Sequence, residues 1–217
     1  GLKAAERKGL STFNALQLIS HTSELKPLLK VKVKEYDKVQ DELHKHEGSL
    51  LTKEPSLYEP EYDDFLGSIK TTMFFNEWIE ESSEEDLLEQ YNVRPGETRN
   101  KLSKSDWLLY SLAELARILN LNQQLKEITK LRIRLKYGVK EELLPLLQLR
   151  NIGRVRSRIL FSNKIRTLGD IKKLDVATLT TLLKSGRVAV DIKKQLGQEV
   201  KEIPKRTRKG QTSISKF

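Results

Sequence analysis

One segment of the sequence, residues 149–160, combines an apolar residue, a short turn and a row of arginines. Leu149 precedes the turn, Asn151 and Gly153 lie in it, and a helix is predicted to follow. Glycine lets the backbone approach a phosphate closely, and the N–H groups at a helix N-terminus attract anions. Asn151 stands where many such hairpins have a first glycine, and asparagine tolerates left-handed backbone geometry better than most residues. The pattern predicts a helix-hairpin-helix that holds nucleic-acid phosphates. Its candidate binding residues are Arg150, Gly153, Arg154, Arg156 and Arg158.

A weaker copy of this segment follows 33 residues later, at Leu182–Val188. Gly186 and Arg187 take the places of the glycine and the first arginine. Two tandem hairpins would form a basic unit that follows a nucleic-acid backbone without reading its bases. An ordinary helical turn with solvated arginines is the alternative for both segments.

A tryptophan on the polar side of a predicted helix is the second candidate. Over Gly96–Leu119, helical spacing predicts a buried stripe of Ser105, Leu108, Leu109, Leu112, Leu115, Ala116 and Leu119. Trp107 projects roughly 140° away from that stripe, on the side of Asn100 and Ser103 and beside Arg99. Either a second layer of protein covers this side, or the indole stacks on an unpaired base while the arginine reaches a phosphate.

The last seven residues space Gln211, Ile214 and Phe217 at positions 1, 4 and 7. This spacing resembles the peptide by which replication and repair proteins bind a sliding clamp, the ring formed by PCNA. The second aromatic residue of that peptide is missing here. A tail end without a function is the alternative.

Catalytic signatures are absent from the sequence. It contains no G-x-x-x-x-G-K-[ST] phosphate loop and no cysteine. The sequence offers no third metal ligand at a suitable spacing from His44 and His46. The carboxylates of Glu77–Asp86 have no nucleophile or base signature next to them. We therefore expect no catalytic residue, no metal and no cofactor in this chain.

The elements that position these candidates are predicted to be helices, because apolar residues recur at helical rather than alternating spacing. Ser83 is a plausible N-cap, and Pro95 suits the first turn of the longest helix. The fold class predicted is all-α, a helical bundle followed by a smaller basic domain and a tail. The other predicted helices cover residues 11–20, 35–46, 61–79 and 124–135, with several short ones to residue 196.

Charge is distributed unevenly along the 217 residues. Residues 1–100 carry 13 Lys and Arg against 20 Asp and Glu, whereas residues 101–217 carry 27 against 10, which gives −7 and +17. A basic half of this kind predicts a polyanionic partner. The sequence has no apolar run of membrane-spanning length and no secretory leader, so a cytoplasmic protein is expected.

Several segments resemble the helical ratchet domain of Hjm/HelQ-type archaeal DNA helicases, in the Ski-like branch of superfamily two. They are Glu61–Leu66, Asn76–Glu81, Tyr91–Glu97 and Asp106–Leu108. Tyr137–Leu144 followed by Arg150–Arg156 resembles the junction into the helix-hairpin-helix domain of that family.

The resemblance implies four regions. Residues 1–9 would end a winged-helix region, 10–128 form the ratchet domain, 129–200 the helix-hairpin-helix domain, and 201–217 a basic tail. In that family a ratchet-helix tryptophan stacks on the translocating strand, a role that falls to Trp107. The basic pair that precedes it in the family is represented here by Arg99 and Asn100, so only one position keeps its charge.

The resemblance also implies a function. The chain would be the C-terminal part of an ATP-driven 3′→5′ DNA helicase in fork repair and recombination, whose ATP and Mg sites lie in motor domains outside it. Single-stranded and branched DNA would be its partners, and a monomeric, nucleoid-associated fragment without ATPase activity is expected. The alternative is a protein-interaction scaffold that binds the sliding clamp through its tail, in which Trp107 would be buried.

Overall fold

A computed structural model describes residues 1–199, and every regular element in that range is a helix. The all-α prediction is confirmed. The α-helices are α1 Leu2–Lys8, α2 Thr12–Ser20, α3 Tyr36–His46, α4 Tyr62–Ile79, α5 Glu84–Tyr91, α6 Pro95–Ile118, α7 Asn122–Tyr137, α8 Arg154–Ser162, α9 Leu168–Lys173, α10 Val176–Leu183 and α11 Gly186–Gln195. Short 3-10 helices cover Ser23–Leu25, Val33–Glu35, Glu47–Ser49, Glu141–Leu143 and Leu146–Gln148.

Helix starts follow local side-chain chemistry. The Ser11 hydroxyl accepts from the Asn14 N–H while the Asn14 side chain accepts from the Ser11 N–H, which caps α2 reciprocally. Ser83 and Asp86 cap α5 in the same way. Pro95 is the first residue of α6, where it has no intrahelical hydrogen bond to lose. The predicted starts of these helices therefore lie within one residue of those observed.

The chain forms two compact units that divide between Leu144 and Pro145. The boundary expected from the sequence, between residues 128 and 129, falls inside α7. Ile128, Leu131 and Leu135 of that helix are buried in the core of the first unit. These contacts make all of α7 part of the first unit.

The first unit is built around α4, which is buried on most of its circumference, with Phe65, Phe74 and Phe75 fully enclosed. It contacts α2, α3, α5 and α7, and α6 packs along α7. In the second unit α10 packs against α8 and α11 around a small apolar core. Within residues 1–199 no helix is both long and apolar enough to cross a lipid bilayer.

The buried stripe of α6 differs from its prediction at two positions. Leu115 is 52% exposed and Leu119 is 44% exposed, while Ala113 is buried instead. The buried side of α6 is centred near Ala116. One residue turns an α-helix by about 100°, so Leu115 points about 100° away from that centre. Leu119 follows Ile118, the last residue of the helix. The other five predicted members are buried.

Candidate nucleic-acid interface

The exposed side of α6 carries the first group of candidate residues. Trp107 is 57% exposed, and Arg99, Asn100 and Ser103 are exposed on the turns before it. At about 100° per residue, Asn100 and Ser103 lie within roughly 40° of Trp107, and Arg99 lies about 80° away. The helix therefore presents an indole, two polar side chains and a cation to solvent. The exposure of Trp107 differs from the burial that the scaffold alternative required.

Two lysines on α6 have structural contacts that the sequence did not reveal. The Lys101 Nζ donates to the Pro27 carbonyl at 2.6 Å, and the Lys104 Nζ donates to the Lys26 carbonyl at 2.8 Å. The pKa of Lys101 is lowered, first by burial and then by neighbouring Lys104, against an opposing effect of Glu97. Both lysines hold the segment before α3 onto α6, so Arg99 is better placed than they are to meet a phosphate.

Tyr110, one helical turn after Trp107, and Arg132, which contacts Tyr110, were also missed. Tyr110 is 47% exposed on the turn of α6 after Trp107. The Arg132 guanidinium carbon, from α7, lies 5.0 Å from the centroid of the Tyr110 ring. The hydrogen bonds that Arg132 donates to Asp106, together with the charge of that carboxylate, raise the pKa of Arg132 against the opposing effect of burial. The i, i+3 spacing of Trp107 and Tyr110 was visible in the sequence, but the packing of α7 against α6 was not.

In the second unit, the turn before α8 has the geometry expected of Asn151. Its φ is 64°, in the left-handed region. The Arg156 Nη1 donates to the Asn151 carbonyl at 2.7 Å, which closes the turn. Gly153 is the N-cap of α8 and supplies no side-chain acceptor, so the first N–H groups of that helix have no side-chain cap. A Cβ at Gly153 would meet nothing within 4 Å, so packing does not require this glycine. These amide N–H groups can donate hydrogen bonds to a bound anion.

The second turn resembles the first but is capped. Lys184 has a left-handed φ of 53°, and the Ser185 hydroxyl accepts from the Val188 N–H at 3.4 Å. The N-terminus of α11, which begins at Gly186, therefore already has an acceptor from the protein. Arg187 is exposed on its first turn. The two turns are thus unequal as anion sites.

Side chains of α11 hold the first turn in place. The Gln195 Oε1 accepts from the Arg150 N–H at 2.8 Å, and its Nε2 donates to Asp191 Oδ2 at 2.8 Å. The same Asp191 oxygen accepts from the Asn151 side-chain amide at 2.9 Å. The structure thus brings the first turn and α11 together.

The second unit is strongly basic in its described part. Residues 145–199 carry 12 Lys and Arg against four Asp and Glu, a net charge of +8. Arg154, Arg156 and Arg158 are partly exposed on α8, and Arg150 is exposed before it. The Arg158 guanidinium also lies 5.3 Å from the centroid of the Phe161 ring.

The remaining candidates of the sequence do not form a site in the described residues. Among residues 1–199 no three His, Asp or Glu side chains lie together in a way that could hold a metal ion. His46 stacks on Phe13 with 3.8 Å between ring centroids, and His44 approaches the Gln40 carbonyl. The tail residues Gln211, Ile214 and Phe217 lie outside the described residues.

Comparisons with known proteins agree on one family. A family model described as archaeal helicase, domain 4, matches residues 13–138. The ATP-dependent DNA helicase Hel308 of Pyrococcus horikoshii is 37% identical over 200 residues, which are 90% of this chain and 27% of that protein. Hel308 of Caldivirga maquilingensis is 36% identical over 184 residues, 81% of this chain and 24% of that protein. Hel308 of Pyrococcus abyssi is 33% identical over 208 residues, which are 94% of this chain and 28% of that protein. The chain therefore spans about a quarter of the length of these relatives.

Proposed function

The chain belongs to the archaeal helicase domain 4 family, and from this premise we propose that it is the C-terminal DNA-binding part of an ATP-dependent 3′→5′ DNA helicase. The first unit grips single-stranded DNA through α6, and the second unit holds the backbone through a helix-hairpin-helix. The relatives are named as ATP-dependent DNA helicases, and that activity is proposed here for the whole protein to which this chain corresponds.

The observation that carries the proposal is the exposure of Trp107 on the polar side of α6. Indoles are normally covered by protein, and an exposed one offers a flat surface on which any base can stack. Asn100 and Ser103 on the same side supply polar groups, and Arg99 supplies a cation for a phosphate. Contacts of this kind grip a strand without regard to its sequence.

The second unit supports the proposal through its charge and its uncapped helix. Backbone N–H groups at the start of α8 can donate hydrogen bonds to a phosphate, and Arg154 and Arg156 can neutralise phosphate charge. Gly153 leaves room for a phosphate where any other residue would place a side chain. Gly186 and Arg187 form a secondary contact, because the Ser185 hydroxyl already accepts from one amide of α11, that of Val188.

The test is the affinity of the full chain for a labelled oligothymidylate, measured by fluorescence anisotropy at several salt concentrations. Trp107→Ala should weaken binding by about 1–3 kcal/mol with little change in salt dependence. Arg154→Ala/Arg156→Ala should instead reduce the slope of log K against log salt by about 0.7 per lost phosphate contact. The matched control is Lys34→Ala/Lys53→Ala, which removes the same charge from exposed positions of the first unit.

Two results would overturn the proposal. Wild-type affinity in both interface variants would mean that DNA does not follow these residues. An equal loss in the charge control would mean that net charge alone accounts for binding. Thermal unfolding of each variant separates loss of a contact from loss of the fold.

For the whole helicase we propose that ATP and Mg bind motor domains outside this chain, and that the enzyme acts on branched DNA in fork repair and recombination. The chain alone should then bind DNA without hydrolysing ATP. Release of phosphate from ATP by the purified chain in the presence of single-stranded DNA would contradict the proposal that ATP is hydrolysed outside this chain.

The tail supplies a second proposed contact, with the sliding clamp. The spacing of Gln211, Ile214 and Phe217 is the observation that favours it. Binding of the chain to immobilised PCNA, compared with Ile214→Ala/Phe217→Ala, tests this contact. Equal binding by both chains would remove the clamp from the list of partners.

A further inference from the structure

We propose that Tyr110, supported by Arg132, is a second base-stacking site that receives the nucleotide next to the one on Trp107. This inference rests on the proposed grip of single-stranded DNA by α6. It adds a contact that uses α7 as well as α6, so the DNA site comprises two helices.

The two aromatic rings are neighbours on the surface of α6. Residues at i and i+3 of a helix have their Cβ atoms about 5–6 Å apart. Trp107 and Tyr110 are 57% and 47% exposed. Successive nucleotides of a stacked strand advance by about 3.4 Å, and an extended strand advances further. A Cβ separation of this size is compatible with neighbouring bases, one on each ring.

Arg132 fixes the orientation of the tyrosine ring. Its guanidinium carbon lies 5.0 Å from the ring centroid, within the range of a cation–π contact. Asp106 holds the guanidinium by two hydrogen bonds, from Nε to Oδ1 at 2.7 Å and from Nη2 to Oδ2 at 3.0 Å. A guanidinium held at two of its three nitrogens keeps the ring it contacts in one orientation. Stacking on Tyr110 then costs little further side-chain entropy.

Charge around the ring favours a nucleic acid over an apolar protein segment. Asp106 already pairs with Arg132, so it presents little net negative charge to a strand. Arg99 is exposed about three helical turns before Tyr110 on α6, and Lys136 is exposed one helical turn after Arg132 on α7, so cations lie further along both helices. Proteins bind unpaired strands by combining aromatic side chains for the bases with cations for the backbone. Arg132 is a positioning residue in this site, and Tyr110 is the residue that contacts the base.

The experiment compares Tyr110→Leu and Tyr110→Phe in the full chain, with two labelled oligonucleotides of equal length and charge. One is an oligothymidylate, and the other is the same backbone without bases. Tyr110→Leu should bind the oligothymidylate about 5- to 150-fold more weakly, the range expected for one lost stacking contact, and Tyr110→Phe should stay near wild type. The two variants should bind the abasic strand equally. Tyr58→Leu is the matched control, because Tyr58 is 97% exposed outside α6.

The positioning role of Arg132 has its own readout. Arg132→Gln should weaken oligothymidylate binding in wild type and have little further effect in the Tyr110→Leu background. An effect of the same size in both backgrounds would make Arg132 a direct phosphate contact and overturn its positioning role.

Other outcomes distinguish this inference from the function on which it rests. Wild-type affinity in Tyr110→Leu together with weak binding in Trp107→Leu would overturn the second stacking site and leave the grip by α6 intact. Wild-type affinity in both Tyr110→Leu and Trp107→Leu would overturn the second stacking site and also the proposed grip of DNA by α6. An equal loss on the oligothymidylate and the abasic strand would show that Tyr110 contacts no base.

Discussion

Gly138 lies against the face of Trp78 at the C-terminus of α7. A Cβ built at position 138 would stand 2.6 Å from Cε2 of the indole, closer than any normal contact. The Trp78 Nε1 donates to the Leu135 carbonyl at 2.7 Å, so the ring is fixed from α7 as well. The two tryptophans thus have different surroundings, because Trp78 joins α4 to α7 while Trp107 faces solvent.

Gly138→Ala should destabilise the first unit by about 2–5 kcal/mol. The left-handed φ of 63° costs about 1–2 kcal/mol for a residue with a Cβ, and overpacking against the indole adds about 1–3 kcal/mol. Urea unfolding of the full chain measures the change. In the Trp78→Leu background the same substitution should cost only the backbone part. If Gly138→Ala lowers the free energy of unfolding by the same amount in the Trp78→Leu background as in wild type, the indole does not cause the destabilisation.

Arg134→Met should destabilise the first unit by about 2–3 kcal/mol. The guanidinium is nearly buried and donates to the Val139 carbonyl, to the Thr12 hydroxyl and to Glu80 at 3.1–3.3 Å. Hydrogen bonds of a charged group are each worth more than neutral ones, and methionine restores only the packing. Arg117→Met is the control, since Arg117 pairs with Glu114 at the surface, and it should cost less than about 1 kcal/mol.

The ion pair between Glu35 and Lys70 should make stability sensitive to acid. Burial raises the pKa of Glu35, but hydrogen bonds from Lys70 and from the Lys32 N–H outweigh burial, so its pKa is lowered overall. The Lys70 Nζ to Glu35 Oε2 distance is 2.7 Å, with both side chains largely covered. A group with a lowered pKa contributes its full stability above its unfolded pKa, about 4.3, and loses it as the pH falls further.

Glu35→Gln should therefore be less stable than wild type at neutral pH, and the difference should shrink below about pH 4. Unfolding by urea at a series of pH values measures the change. Glu6→Gln, which alters an exposed carboxyl group, is the control. A constant difference between Glu35→Gln and wild type across this range would show that the ion pair does not account for acid sensitivity.

Local chemistry explains which parts of the fold could be predicted. Ser11, Ser83 and Pro95 mark helix starts through contacts within four residues, so the sequence alone locates them. The outward direction of Trp107 follows from helical periodicity in the same way. The left-handed turn at Asn151 could also be predicted from the sequence, because few residue types adopt that geometry readily.

Contacts distant in sequence explain what could not be predicted. Lys101 and Lys104 have ordinary surface spacing, and their roles depend on carbonyl groups more than 70 residues away. Arg132 reaches Tyr110 only because α7 packs along α6. The packing of Ile128, Leu131 and Leu135 of α7 into the core of the first unit is likewise a tertiary property. Leu115 was assigned to the stripe because periodicity does not give the width of the buried side.

Asn151 should tolerate glycine but not a β-branched residue. Its φ of 64° suits glycine, and Asn151→Gly loses only the hydrogen bond to Asp191. Asn151→Val should cost about 1–2 kcal/mol in the second unit and should also weaken DNA binding, because the turn that presents the α8 amides is distorted. Thermal unfolding and anisotropy with the oligothymidylate give the two readouts. Equal stability of the two variants would mean that the turn relaxes without strain.

Gln195→Leu should separate turn geometry from charge in DNA binding. Gln195 hydrogen-bonds the backbone N–H of Arg150 at 2.8 Å and also binds Asp191, so it holds the first turn against α11. Leucine has similar volume and cannot make these bonds, so the turn should lose about 1 kcal/mol of stabilisation.

Because this substitution leaves every charge in place, affinity for single-stranded DNA should fall while the dependence of log K on log salt keeps its wild-type slope. Gln148→Leu, an exposed glutamine of the same unit, is the matched control and should bind as wild type. A reduced slope in Gln195→Leu would mean that the arginines around the turn have lost phosphates as well. Unchanged affinity would mean that DNA does not depend on the position of this turn, and the proposed role of the α8 amides would fall with it.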